Sequence, residues 1–189
     1  MANESRPPTA DQVEGVVTPE VVRGLQVIHL ALPMGVLTFG GIVAWKAFGS
    51  GGAGASDPEV PRLLSLIHPV LAFGTYLAAM VVPRLLKGQP GMPGDPVLNA
   101  IRGGAILRLA CLEGPALFGW VTCFMAVEAG VLPDQPVYWA NAFTTFVLLA
   151  YVAARFPTRE RIVSAYLEKV GAGPPEARSP RRSQLPRMA

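Results

Sequence analysis

Four apolar stretches, each about 18 residues or longer and nearly free of charge, leave this chain few soluble folds. They run from Leu25 to Phe48, from Leu63 to Val82, from Ile101 to Val127 and from Val137 to Phe156. Just over half of the 189 residues are hydrophobic, and 15% are charged. A soluble domain of this length does not need four such segments to build its core. The expected fold is therefore all-α, an integral membrane four-helix bundle occupying residues 23–156. The twenty residues before the first stretch are polar and have no apolar signal core, so the first span is expected to serve as the signal anchor.

Charge sets the expected orientation. Arg6, Arg23, Arg84, Lys87, Arg102, Arg155, Arg159, Arg161, Lys169, Arg178, Arg181, Arg182 and Arg187 fall in the two tails and the second loop. The first and third loops carry Lys46 and Arg62 beside Asp57, Glu59, Glu128 and Asp134. The positive-inside rule then places both termini in the cytoplasm, in a bacterial inner membrane. Trp45, Tyr138 and Trp139 gather at the opposite interface, where an aromatic belt belongs. The net charge of +3 is thus a topology signal, and no nucleic-acid partner is expected. Residues 1–22 read as a polar cytoplasmic tail. Residues 157–171 form an amphipathic interfacial helix, with Ile162, Val163, Tyr166, Leu167 and Val170 at helical spacing. Residues 172–189 form a Pro-, Arg- and Ser-rich disordered tail.

The first and third spans resemble each other at a constant offset of 79, Arg102 lying against Arg23. Arg23-Gly24, Leu30-Ala31, Gly35 and Phe39-Gly40 match Arg102-Gly103, Leu109-Ala110, Gly114 and Phe118-Gly119. A duplicated helical hairpin accounts for this, with parallel copies and with Met34 at the depth of Glu113. Ala31 with Gly35, and Ala110 with Gly114, are small-xxx-small pairs that let helices approach closely in lipid. They are the expected packing positions, against another span or a neighbouring copy.

Glu113 is the main candidate for function. It lies mid-span, where a bare charge costs at least about 2.5 kcal/mol. A protonatable Glu113 can handle a proton or cation, or it can hold helices together as a neutral hydrogen-bond donor. Pro115 supports the second role, because its missing amide frees the Cys111 carbonyl. Arg108 is a candidate counter-ion but points about 140° away on a helix. His29 and His68 are candidate ligands for a haem or pigment, each alone, since they belong near opposite ends of antiparallel spans. No metal site is expected. Cys111 and Cys123 read as packing residues, and no phosphate loop, paired CxxC or serine elbow offers enzyme chemistry.

The loop "RLLKGQPG" followed by "LRLACLEGPALFGWVTCFM", over about residues 84–125, resembles the proteolipid (c) subunit of rotary ATP synthases. The resemblance implies Gln89-Pro90 at that family's polar-loop position and Glu113 at its ion-binding position. The preceding span departs from the family pattern, having Gly74 where a run of glycines belongs. The combined expectation is a subunit of a membrane assembly, contacting lipid and other subunits or copies of itself, with Glu113 in proton or cation translocation. The alternatives are a structural subunit in which Glu113 only packs helices, and a cofactor-holding subunit using His29 or His68.

Overall fold

The computed structural model describes residue 13 and residues 15–49, 58–85 and 95–170. Five α-helices follow in order: α1 (Pro19–Gly49), α2 (Glu59–Leu85), α3 (Pro96–Glu128), α4 (Phe143–Ala154) and α5 (Arg159–Lys169). A 3-10 segment, Pro136–Ala142, leads into α4. Among the described residues, four stretches are long and apolar enough to cross a membrane: Pro19–Gly49, Glu59–Pro83, Pro96–Glu128 and Pro136–Ala154. They fit an integral, multi-pass membrane protein. The Gln89-Pro90 loop and residues 172–189 lie outside the described residues.

Helix starts follow the capping rules. Asp95 caps α3, its Oδ1 accepting from the amides of Val97 and Leu98, and Pro96 occupies the first turn, where no amide is missed. Thr158 caps α5 through its hydroxyl. After α3 the chain reverses at Gly130, whose φ of 67° suits glycine. The fourth apolar stretch is not one α-helix from its first residue. Its first seven residues, opened by Pro136, form the 3-10 segment. Its end stops short of Phe156, because Pro157 disfavours α geometry in the residue before it.

Specific contacts fix how the helices run. Gly24 of α1 lies against Arg102 of α3, and Gly40 of α1 lies against Trp120 of α3. The two helices are therefore parallel and in step, close to the offset of 79 seen in the sequence. Pro83 of α2 touches Gly104, while His68 touches Pro115, so α2 runs antiparallel to α3. Thr144 meets Pro115, and the Pro157 carbonyl accepts from Gln26, so α4 is antiparallel to both α1 and α3. α3 packs on each of the other three spans and forms the centre.

Apolar clusters follow the span axes. One joins Val36, Leu109, Leu112, Ala116, Leu148 and Val152. A second joins Val43, Cys123 and Ala142, with Phe39, Trp120 and Trp139 around it. At the other end, Val13, Val17, Leu25, Leu98, Ile162 and Tyr166 form a third. α5 is thus docked by its apolar face onto the starts of α1 and α3. The Tyr166 hydroxyl donates to Asp95 at 2.7 Å, tying α5 to the cap of α3. Burial, with the hydrogen bond and charge of Asp95, pushes this phenol up to about 12. Val13 and Val17 are fully buried, so part of the expected polar tail belongs to the core.

Candidate functional site

Polar atoms inside a membrane bundle must find partners within the protein, because lipid offers none. The densest group of such atoms surrounds His68, where α2, α3 and the start of α4 meet. Ser65 and His68 are three apart on α2 and share a face. Asn141 and Thr144 are three apart across the junction of the 3-10 segment and α4. The Asn141 amide nitrogen donates to the Tyr138 carbonyl and the Ser65 hydroxyl, both at 2.9 Å. This fixes the amide orientation and turns Oδ1 toward His68 Nδ1, at 3.0 Å. On the other side of the ring, Nε2 is 3.0 Å from the Pro115 carbonyl and 3.4 Å from the Thr144 hydroxyl. Thr144 also donates to the Pro115 and Asn141 carbonyls, each at 3.1 Å. Phe118 stacks against the ring at 5.9 Å.

The network depends on a glycine. A Cβ added at Gly119 would strike the Asn141 carbonyl and come within 3.2 Å of the His68 ring. Only a residue without a side chain lets the 3-10 segment press this closely onto α3. Of the residues singled out in the sequence, the structure brings together His68 and Pro115. The role differs from the one expected for Pro115: its own carbonyl serves His68 and Thr144. Both ring nitrogens of His68 face oxygens of the chain, so neither is directed at open space for a ligand. His29 sits at the opposite end. Its Nδ1 is 2.8 Å from the Leu25 carbonyl, and its ring meets Phe156 edge-on. No group of three or more metal-ligating side chains occurs among the described residues.

The expected helix-packing face turns outward. Ala31, Gly35, Ala110 and Gly114 are all exposed, and nothing lies within 4 Å of a Cβ built on Gly35 or Gly114. These residues therefore face away from the other described helices. α1 and α3 meet instead through Gly40 and Trp120, one helix face away. Met34 is 58% exposed. Glu113 is half-buried on the same outer side of α3 as Ala110 and Gly114. It makes no hydrogen bond or ion pair among the described residues, with Arg108, with the Cys111 carbonyl or otherwise. Arg108 is half-buried and lines a cavity beneath α5 instead.

The aromatic residues expected at one interface divide. Trp45 is 79% exposed, Tyr138 is buried, and Trp139 stacks on Phe48 with ring centroids 6.0 Å apart. At this end Lys46 pairs with Glu128 and sits over the Phe124 ring at 5.2 Å.

Sequence reasoning missed Ser65, Asn141 and Thr144. The signal was present as two polar pairs at three-residue spacing inside apolar spans, a pattern that places hydrogen-bonding atoms on one helix face. No family model, curated protein or solved structure matches this chain.

Proposed function

We propose that the protein is a subunit of a membrane assembly and that the Glu113 face of α3 is where it meets a neighbour, a second copy or another membrane chain. One observation carries this reading. A carboxyl lies mid-span, turned outward and without a partner among the described residues, beside two residues small enough to admit another helix. Left charged against lipid, it costs at least about 2.5 kcal/mol. Protonated and facing a carbonyl or hydroxyl of an adjacent helix, it becomes a hydrogen-bond donor in an interface. Ala110 and Gly114 supply the close approach on α3, and Ala31 and Gly35 offer a similar patch on α1. The paired state of His68 supports assembly over a ligand-holding role for that ring.

We also place the α5 end in the cytoplasm. Arg23, Arg102, Arg108, Arg155, Arg159, Arg161 and Lys169 belong to that end, against Lys46 and Arg62 at the other. A bacterial inner membrane accommodates this arrangement.

The test is association in mild detergent, followed by sedimentation and by the proteins that co-purify. Glu113→Leu removes the donor and should weaken association by about 0.6–1.7 kcal/mol, roughly three- to twentyfold. Glu113→Gln keeps a donor and should associate like the wild type. If that variant assembles yet loses proton or cation flux in vesicles, the same carboxyl also carries the ion. Wild-type association by Glu113→Leu would show that the Glu113 face is not the interface.

A further inference from the structure

Beneath α5, between the ends of α2, α3 and α4, lies a cavity of about 680 Å³. Its size falls within the roughly 300–1,000 Å³ typical of small-molecule sites. Arg108, Arg155, Arg161 and Lys169 line it, with Glu168 as the opposing carboxylate and His29 on the wall. The three arginines keep donors that bond nothing among the described residues. Arg108 and Arg155 have no hydrogen-bond or ion-pair partner among the described residues. Arg161 donates through Nη1 to the Ala154 and Phe156 carbonyls at 2.8 and 3.1 Å. Those bonds fix the guanidinium at the end of α4 and leave its Nε and Nη2 donors unpaired among the described residues. His29 Nδ1 faces the Leu25 carbonyl, and its Nε2 likewise has no partner there.

We propose that this cavity binds a phosphate-bearing anion, presented as the headgroup of an anionic phospholipid. Guanidinium groups match phosphate oxygens in geometry and charge, and arginine can bond them through two parallel N–H groups. Ser164 and Tyr151 add hydroxyls to the lining. The position favours a lipid as the source. The cavity sits where Pro83, Tyr151 and Ala154 end or approach the end of their spans, at the depth where headgroups gather. Leu25, Ile101 and Ile162 give it apolar walls suited to the glycerol and upper acyl carbons. Basic cavities between span ends are the usual receptors for anionic headgroups.

The experiment uses the full-length protein in a non-ionic detergent. Native mass spectrometry measures binding of phosphatidylglycerol and phosphatidylcholine, and thermal stability is followed with added inorganic phosphate. Phosphatidylglycerol should bind and phosphatidylcholine should not. The Arg108→Gln/Arg155→Gln double variant removes two cationic contacts and should weaken phosphatidylglycerol about thirtyfold. Arg108→Lys/Arg155→Lys keeps the charge and should remain within about fivefold of wild type, which separates lost binding from lost folding. Arg62→Gln, at the opposite end, removes a charge from an exposed site and should leave binding unchanged. Equal binding of the two lipids overturns the lipid headgroup. If inorganic phosphate then stabilises the wild type and not the glutamine double variant, the occupant is a soluble phosphate. The site itself is refuted if the double variant binds within about twofold of wild type, or if Arg62→Gln loses as much.

Discussion

Gly119 and Gly114 lie five residues apart on α3, and alanine at each should act in opposite directions. At Gly119 the new Cβ meets the Asn141 backbone carbonyl, which cannot rotate away as a flexible side chain would. The 3-10 segment must shift, and overpacking of this kind costs about 1–3 kcal/mol. The shift also pulls Asn141 from His68 and Ser65, and intramembrane hydrogen bonds average about 0.6 kcal/mol each. Alanine returns roughly 0.5–1 kcal/mol through helix propensity. The net loss is about 2–3 kcal/mol. At Gly114 nothing lies within 4 Å of the added carbon, so only the propensity term remains and the monomer gains up to about 1 kcal/mol. The two variants should differ by about 3 kcal/mol, more than a hundredfold in the unfolding constant. Reversible unfolding in mixed micelles, followed by the fluorescence of Trp120 and Trp139 at dilutions that keep the chain monomeric, measures both. Wild-type stability for Gly119→Ala, or equal losses from the two, would refute the close approach of the 3-10 segment to α3.

Asn141→Leu keeps the approximate volume but strips the amide from His68, Ser65 and the Tyr138 carbonyl. It should cost about 1–2.5 kcal/mol in the same assay, against about 0.6 for Ser65→Ala. Tyr166 titrates higher in the folded chain than its ordinary 10.0, at about 12, so the folded state holds this proton more tightly. Its contribution is full below pH 10 and disappears as pH rises through about 12; an alkaline unfolding series should show that loss, and Tyr166→Phe should flatten it. Lys46 and Glu128 are 40% and 42% exposed, so a double-mutant cycle on the pair should give no more than about 1 kcal/mol and should shrink with salt.

How much of this architecture is legible depends on which force decides each feature. Membrane spans follow from the cost of burying backbone and charge in lipid, a sum over some twenty residues that one sequence displays openly. The helix ends follow from Asp95, Pro96, Thr158 and Gly130, each a local signal. The face of a span that meets its neighbours is different. Around α3 every face is apolar, so periodicity cannot separate protein from lipid. The small pair Ala110 and Gly114 looked like the packing face, yet Gly104 and Gly119 approach α2 and the 3-10 segment. Glycines on both sides of one helix obey the same rule for close approach, and only the tertiary arrangement shows which are used inside the chain.

That division also separates the polar residues. His68 and Glu113 each looked like an isolated polar group in an apolar span, and either could have been structural. His68 finds Asn141, Thr144 and the Pro115 carbonyl because α3 and the start of α4 bring complementary atoms to its depth. Glu113 lies on the outward face of the same central helix, where no such atoms arrive. Arg108, one turn and a half toward α5 at 3.6 residues per turn, is likewise without a partner among the described residues. Glu113 and Arg108 are thus two positions within the spans at which an ionisable side chain has no partner among the described residues. In the readings proposed above they take different partners: a hydrogen-bond acceptor on an adjacent helix for the carboxyl, and an anion at the headgroup level for the guanidinium.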